Sequence, residues 1–455
     1  MEPMHFGLVE PVEVVGLGAS GLSTIRFLNK HGLKPGAMDT RAALAQDLRA
    51  HGLHTRELTL GRLDADRLLH AGTVVLSPGL SRALPQIAAA IAGGVEVIGD
   101  IELFARAVSA PVIAITGSNG KSTVTTMLRD MAAHGALDVR TGGNLAPPAL
   151  DLVSSQEPDL YVLELSSFQL ESTYSLRPAA AIVLNVSEDH LDRYTGLASY
   201  IDAKLRIFQG AQHSFIGEQC LTEIKAQVLH SHTRLQTLRE APPGAGEFGL
   251  GLHQGKRWLM FGETPLMAVD ALAVPGEHNA FNALAAWALG TSIGLAPASM
   301  RAALANFKGL PHRCELVARA NEVRWINDSK GTNVGASVAA INGLGGDAGI
   351  ILICGGEGKD ADFTPLAEAV EQHVRELILI GRDAALIEAC LRPTTPRVHA
   401  GSMAEAVSLA ARRTRGGDCV LMSPACASFD MFDDYVARGE QFRQCVLATL
   451  SSGMC

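Results

Sequence analysis

Ile113-Ala-Ile-Thr-Gly-Ser-Asn-Gly-Lys-Ser-Thr123 is a short apolar run that breaks into a glycine loop closing on Lys121 and Ser122. A strand, such a loop and then a helix together make an anion cradle. The glycines let successive backbone N–H groups converge, and the helix points its positive end at the same place. Lys121 can reach the outer phosphate oxygens, and the Ser122 hydroxyl suits Mg²⁺. The match to the phosphate-loop pattern is incomplete, because Ile115 stands where that pattern has its first glycine. The alternative is a glycine-rich turn with an incidental lysine.

The chain around this loop has 455 residues, 47% of them hydrophobic and 19% charged, enough for a large core divided among roughly two to four domains. A net charge of -9 argues against a nucleic-acid or anionic-membrane surface and leaves small-molecule chemistry, with any anion gripped by local lysines and arginines. The eight cysteines form no Cys-x-x-Cys pair or metal-finger spacing, as expected of a protein in a reducing compartment. No basic leader and no run of about 18 apolar residues occurs, so a cytoplasmic protein without membrane insertion is expected, and a monomer.

The pattern reads as α/β in three domains. Residues 12–18, 73–79 and 95–99 are short apolar runs between Ala/Leu-rich segments, the alternation of a parallel, Rossmann-like sheet, which places a first domain at 1–98. The central domain, 99–310, carries the phosphate loop and the strands 160–164 and 180–186, and a third, 311–455, carries runs at 323–326, 349–354, 377–380 and 419–422 and again reads as Rossmann-like. Residues 211–260 have weak periodicity and receive no chemistry.

Ligands of open parallel sheets gather where strands end, so the residues just past these runs are the ones to read. Gly16-Leu-Gly-Ala-Ser-Gly21 with Asp39 has the spacing of a dinucleotide fingerprint, yet the same turn suits any nucleotide diphosphate or none. Glu164 and Glu188-Asp-His190 stand at strand ends beside the phosphate loop and, with Ser122, could complete a Mg²⁺ shell; a helix-capping Glu and a surface His are the bland alternative. In the third domain Asn327-Asp-Ser-Lys-Gly-Thr332, Gly355-Gly-Glu-Gly-Lys359 and Ser423-Pro-Ala-Cys-Ala-Ser428 each follow a strand. Lysines and hydroxyls at one sheet edge suit a small dicarboxylate.

Together these motifs resemble the Mur ligases, over nearly the whole chain. The resemblance is carried by Thr116–Thr123, Gly142-Gly-Asn144, Leu163-Glu-Leu-Ser-Ser-Phe-Gln-Leu-Glu171, Glu188-Asp-His-Leu-Asp-Arg-Tyr194, Gly276-Glu-His-Asn279 with Asn282, Pro311-His-Arg313, Asn327–Lys330 with Thr332, and Ser423–Asp430. The Leu-Glu-Leu-Ser-Ser-Phe-Gln and Ser-Pro-Ala-Cys-Ala-Ser stretches are similar to the D-glutamate-adding branch. Phe215-Ile-Gly-Glu218 departs from it, since relatives carry a Val-Val-Asn-like strand end there.

The resemblance implies ATP-dependent ligation of D-glutamate to UDP-N-acetylmuramoyl-L-alanine through an acyl phosphate, a step of peptidoglycan synthesis. It implies that Ala19, Ser20, Asp39, Thr40, Arg41, Ser77, Gly79, Asn144, Ser166 and Gln169 bind the UDP substrate. Gly117, Ser118, Asn119, Gly120, Lys121, Ser122, Thr123, Asn279, Asn282, Arg313 and Asp328 would bind ATP, and Thr332, Lys359, Ser428 and Tyr435 D-glutamate. Lys121, Glu164, His190, Lys204 and Lys330 would be catalytic, with two Mg²⁺ ions held by Ser122, Glu164, His190 and Lys204 as its carbamate. A ligase for another amino acid, or a catalytically idle UDP-sugar sensor, are the rival readings.

Overall fold

A computed structural model describes residues 6–42, 52–187, 193–221, 235–345, 349–358 and 361–451. Val12–Val15 (β1), Gly36–Asp39 (β2), Leu58–Leu60 (β3), Thr73–Leu76 (β4) and Glu96–Ile98 (β5) form a parallel sheet in the order β3-β2-β1-β4-β5. Successive strands are laid down on one side of β1 and then on the other. The crevice beyond the ends of β1 and β4 is therefore a topological switch point. Both strands are buried along their whole length, which accounts for their apolar composition.

The second sheet contains Val112–Thr116 (β6), Val139–Gly143 (β7), Leu160–Glu164 (β8), Ala180–Val183 (β9), His213–Gly217 (β10), Leu235–Arg239 (β11), Phe248–His253 (β12), Lys256–Phe261 (β13) and Thr264–Ala268 (β14). Its order is β14-β13-β12-β11-β10-β9-β6-β8-β7, parallel from β12 to β7 and antiparallel across β12, β13 and β14. The stretch 211–260, which the sequence pattern leaves unread, thus supplies most of one flank. Gln254 and Gly255 both have positive φ, 51° and 73°, the two-residue turn whose twist matches a hairpin. The departure at Phe215-Ile-Gly-Glu218 does no harm to the sheet, since β10 pairs in parallel with β9 and β11.

Glu315–Ala320 (β15), Val323–Asn327 (β16), Ile350–Gly355 (β17), Val374–Ile380 (β18), Arg397–His399 (β19) and Cys419–Met422 (β20) form the third sheet, in the order β15-β16-β20-β17-β18-β19. All its pairs are parallel except the β15–β16 edge. Ile350, Leu352 and Cys354 pack into one buried cluster and Ile351 and Ile353 into another. Successive side chains of a strand face opposite sides, so an unbroken apolar run is what a sheet covered on both faces requires.

The chain packs as two units. One contains the first two sheets, through Val186 with Ala198–Ala268 and Ala283–Leu304; the other contains Ser187–Leu197, Val269–Asn282 and the residues from Ala305 onward. Within the first unit the helix Asp100–Ala107 ties the two sheets together. Its Glu102 accepts from Tyr174 N at 2.6 Å and Ser175 N at 2.8 Å, while Gly99 N donates to Ser172 O at 3.0 Å.

Candidate active site

The loop Gly117–Gly120 leaves β6 between the ends of β8 and β9, because Ile115 is in register with Glu164 and Thr116 with Val183. Gly120, at φ 82°, turns the chain into the helix Lys121–His134, a conformation that suits glycine. Lys121 Nζ folds back onto the loop carbonyls of Gly117 at 2.8 Å and Ser118 at 2.9 Å. Thr123 is buried in the first turn.

Ser122 Oγ donates to Glu164 Oε2 at 2.5 Å, and Asn144 Nδ2 to Glu164 Oε1 at 2.6 Å. The close run of β7 beside β8 sets the second bond, with Asn144 N donating to Glu164 O at 2.8 Å. Asn144 thus stands beside Glu164 and Ser122 at the end of the phosphate loop. Among the described residues no cluster of three His, Cys, Asp or Glu side chains forms a metal cage. The Ser122 hydroxyl and Glu164 carboxylate are nonetheless hard oxygen donors next to the loop, the set Mg²⁺ takes when phosphate oxygens complete its shell. Lys204 is buried. Its Nζ donates to Gly117 O at 3.0 Å and lies 4.4 Å from the ring centroid of Tyr200, whose hydroxyl is 3.2 Å from Ser118 Oγ.

At the switch point of the first sheet, a Cβ on Gly21 would lie 1.8 Å from Gly16 O, so only glycine lets the helix Ala19–Lys30 approach the turn this closely. Ser77 Oγ donates to Gly16 O at 2.6 Å. Asp39 Oδ2 accepts from Leu17 N at 2.6 Å, and Arg41 grips the same carboxylate through Nε at 3.0 Å and Nη2 at 2.9 Å. Burial raises the Asp39 carboxyl, but the bonds from Arg41 and Leu17 outweigh it and hold it below the ordinary range. Ala19, Thr40 and Gly79 are exposed around this turn. Ser166 caps the helix Ser167–Leu170 in a reciprocal box with Gln169. Gln169 Nε2 also donates to the buried Asp100 at 3.3 Å, and burial pushes the Asp100 carboxyl up.

In the second unit Asp328 follows β16. Its oxygens accept from Cys314 N at 3.1 Å and Ser423 Oγ at 2.7 Å, and burial raises its carboxyl to about 6 despite those bonds and the nearby charge of Arg313. Lys330 Nζ stands 3.8 Å over the Tyr435 ring, and Thr332 N donates to Lys330 O at 2.8 Å. The sequence reading missed Arg438, on the helix Tyr435–Ser451. Fully buried, it donates through Nε to Ser329 Oγ at 3.0 Å, through Nη2 to Ser329 O at 2.9 Å, and through Nη1 to Cys426 O at 3.1 Å and Ala427 O at 3.2 Å. It thereby joins the loops of Lys330 and Ser428, and Ser329 Oγ carries the link on to Tyr435 O at 2.7 Å. Asn279 and Asn282 share one face of the helix Glu277–Ser292, Asn279 Nδ2 donating to Pro275 O at 2.7 Å. His190 and Lys359 lie outside the described residues.

The chain matches the family models of the Mur ligase MurD-like N-terminal domain over residues 10–99, the Mur ligase middle domain over 115–290 and the Mur ligase glutamate ligase domain over 312–426. Among solved structures it is similar to the UDP-N-acetylmuramate-alanine ligase MurC of Thermotoga maritima, with TM-score 0.61, 19% identity and coverage of 97% of this chain and 99% of that one. A pseudomurein peptide ligase type C from Methanothermus fervidus gives TM-score 0.61 at 17% identity, covering 96% and 99%. These share the three-sheet fold. The chain belongs to the Mur ligase family. Its relatives include the UDP-N-acetylmuramoylalanine–D-glutamate ligase of Nitrosococcus oceani, 47% identical over 99% of both chains, and that of Acinetobacter baylyi, 45% identical over 95% of this chain and 97% of the other.

Proposed function

We propose that this chain joins D-glutamate to UDP-N-acetylmuramoyl-L-alanine at the expense of ATP, in the cytoplasm, as a step of peptidoglycan precursor synthesis. The observation that carries the reading is identity of 45–47% to D-glutamate ligases over nearly the whole length. The convergence of Lys121, Ser122 and Glu164 at the ends of β6 and β8 agrees with it. Residues 1–98 hold the UDP end, 99–310 the ATP, and 311–455 the amino acid.

A carboxylate is too poor an electrophile for an amine, so it must first be activated. The terminal carboxylate oxygen of the muramoyl-alanine attacks the γ-phosphorus of ATP, the bond to the β–γ bridging oxygen breaks, and ADP leaves. The D-glutamate nitrogen then attacks the acyl carbon; the bond to phosphate oxygen breaks, and the amine's proton passes to the departing phosphate. Lys121, at the mouth of the loop, offsets charge on the transferring phosphoryl group, and Lys330 supplies a second positive charge. Ser122 and Glu164 would hold Mg²⁺, and His190 and a carbamate on Lys204 would serve a second ion. The bound metal supplies neutralisation of phosphate charge. Thr332, Ser428, Lys359 and the backbone near Tyr435 orient D-glutamate so that its amine faces the acyl carbon.

Phosphate release tests the reading. Adding ATP, Mg²⁺, UDP-N-acetylmuramoyl-L-alanine and D-glutamate is expected to release phosphate in step with product, with little release when L-glutamate or another amino acid replaces D-glutamate. Release that follows a different amino acid would assign the chain to another ligase specificity, and none at all would favour the sensor.

A further inference from the structure

We propose that Asn185 is a positioning residue for the phosphate loop, one that governs how the chain grips ATP without touching it. Asn185 stands two residues beyond the end of β9, opposite the loop. Its side-chain amide makes both halves of a reciprocal pair with the backbone of one residue: Oδ1 accepts from Asn119 N at 2.8 Å, and Nδ2 donates to Asn119 O at 3.1 Å. Its own carbonyl accepts from Ser118 N at 2.9 Å. These three bonds lengthen the β6–β9 ladder into the loop, where Leu184 N already donates to Thr116 O at 2.9 Å. The side chain acts as one more rung.

The consequence is chemical. Two loop N–H groups, those of Ser118 and Asn119, are turned toward Asn185, so the amides that converge on phosphate begin at Gly120 and continue into the helix Lys121–His134. With the peptides on both sides of Asn119 held, one through its N–H and the next through its C=O, Gly120 enters its φ of 82° from a set starting point. The Lys121 ammonium, which rests on the carbonyls of Gly117 and Ser118, inherits that geometry. Loss of the clamp leaves the fold's β9 strand intact and lets the loop wander, which an anion ligand must then reorder at the cost of affinity.

The inference rests on the reading of this loop as the ATP site. Full-length Asn185→Ala and Asn185→Asp are compared with the parent for the KM of ATP, of the UDP substrate and of D-glutamate, and for thermal unfolding with and without Mg-ADP. Asn185→Ala is expected to raise the KM for ATP about tenfold, as loss of two modest hydrogen bonds implies, with the other two KM values within about twofold. The stabilisation by Mg-ADP shrinks with it, while the ligand-free melting temperature stays close to the parent's. Asn185→Asp keeps the acceptor but sets a carboxylate beside an anion site, so its ATP defect should exceed that of the alanine variant. A folded Asn185→Ala with an unchanged KM for ATP overturns the proposal, as does a rise of all three KM values together with a fall in melting temperature. Lys121→Ala separates the two levels: if it too leaves turnover and ATP binding unchanged, the ATP reading of the loop falls, whereas a Lys121 defect beside a silent Asn185→Ala overturns only the clamp.

Discussion

Ser122 Oγ and Glu164 Oε2 are 2.5 Å apart, a hydroxyl at the start of one helix held by a carboxylate at the end of the neighbouring strand. The register of β6 on β8 makes the meeting unavoidable, since Ile115 faces Glu164 and the loop has only to turn once to bring Ser122 alongside. Two oxygens of this kind can share one hard cation with phosphate.

Glu164→Gln should therefore change the metal requirement before anything else. The amide keeps the shape and the bond to Ser122 but withdraws the negative charge. Turnover is expected to fall about a hundredfold or more, and the Mg²⁺ concentration for half-maximal rate to rise, with the KM for the UDP substrate little changed. A titration of rate against Mg²⁺ reads this directly, and an unchanged midpoint would remove Glu164 from the metal site.

Lys204 offers a sharper test. It is buried with Nζ on Gly117 O, so an alanine there costs both the loop contact and any carbamate. Loss of a brace alone cannot be repaired by a soluble anion. Lys204→Ala is expected to be nearly inactive and to regain activity as acetate or formate is added, if a carboxylate-like ligand is what the site lacks. No response to either anion would leave Lys204 as a brace.

Much of this was legible because burial writes itself into local composition. The runs at 180–183 and 350–354 are covered on both faces and read as strands without ambiguity. Leu58–Leu60 was missed because a three-residue edge strand with a half-exposed Leu58 has no periodicity to display. The β12–β14 meander hid for another reason: its pairing is set by tight turns such as Gln254-Gly255, and its strands alternate imperfectly. Candidate residues at strand ends, such as Glu164 and Asp328, can be named from position alone. Asn185, Asp100 and Arg438 cannot, because their roles exist only across the fold, Asn185 meeting Asn119 at a separation of 66 residues and Arg438 meeting Ser329 at 109.

Asp328 carries a pH signature. Its carboxyl titrates near 6 in the folded chain against 3.8 for a free one, so between those values the folded chain holds a proton that the unfolded chain has lost. The stability it contributes is thus full below pH 4 and is lost as the pH rises through 6. Asparagine has the same shape and no charge to bury. Asp328→Asn is expected to unfold above the parent at pH 7.5, by up to about 3 kcal/mol, with the gain vanishing toward pH 4. Urea unfolding across that range checks the slope; a constant difference would mean that the proton plays no part.

Arg438 is expected to matter for D-glutamate more than for ATP. Its guanidinium joins Ser329, next to Lys330, to the carbonyls of Cys426 and Ala427, next to Ser428. Burial brings its pKa down to about 10, still far above neutrality, so the cation persists and removing it strands several buried carbonyls. Arg438→Met should cost about 3–5 kcal/mol of stability, as breaking a buried charged network does, and its activity is informative only if it still folds. Arg438→Lys keeps the charge but presents a compact ammonium in place of a planar fork, so it cannot span both loops at once. In that variant the KM for D-glutamate is expected to rise about tenfold and discrimination against L-glutamate to weaken, with the KM for the UDP substrate near the parent value. Equal shifts in every KM would reduce Arg438 to a core residue, because a loop-spanning role must show first in the amino acid those loops are proposed to hold.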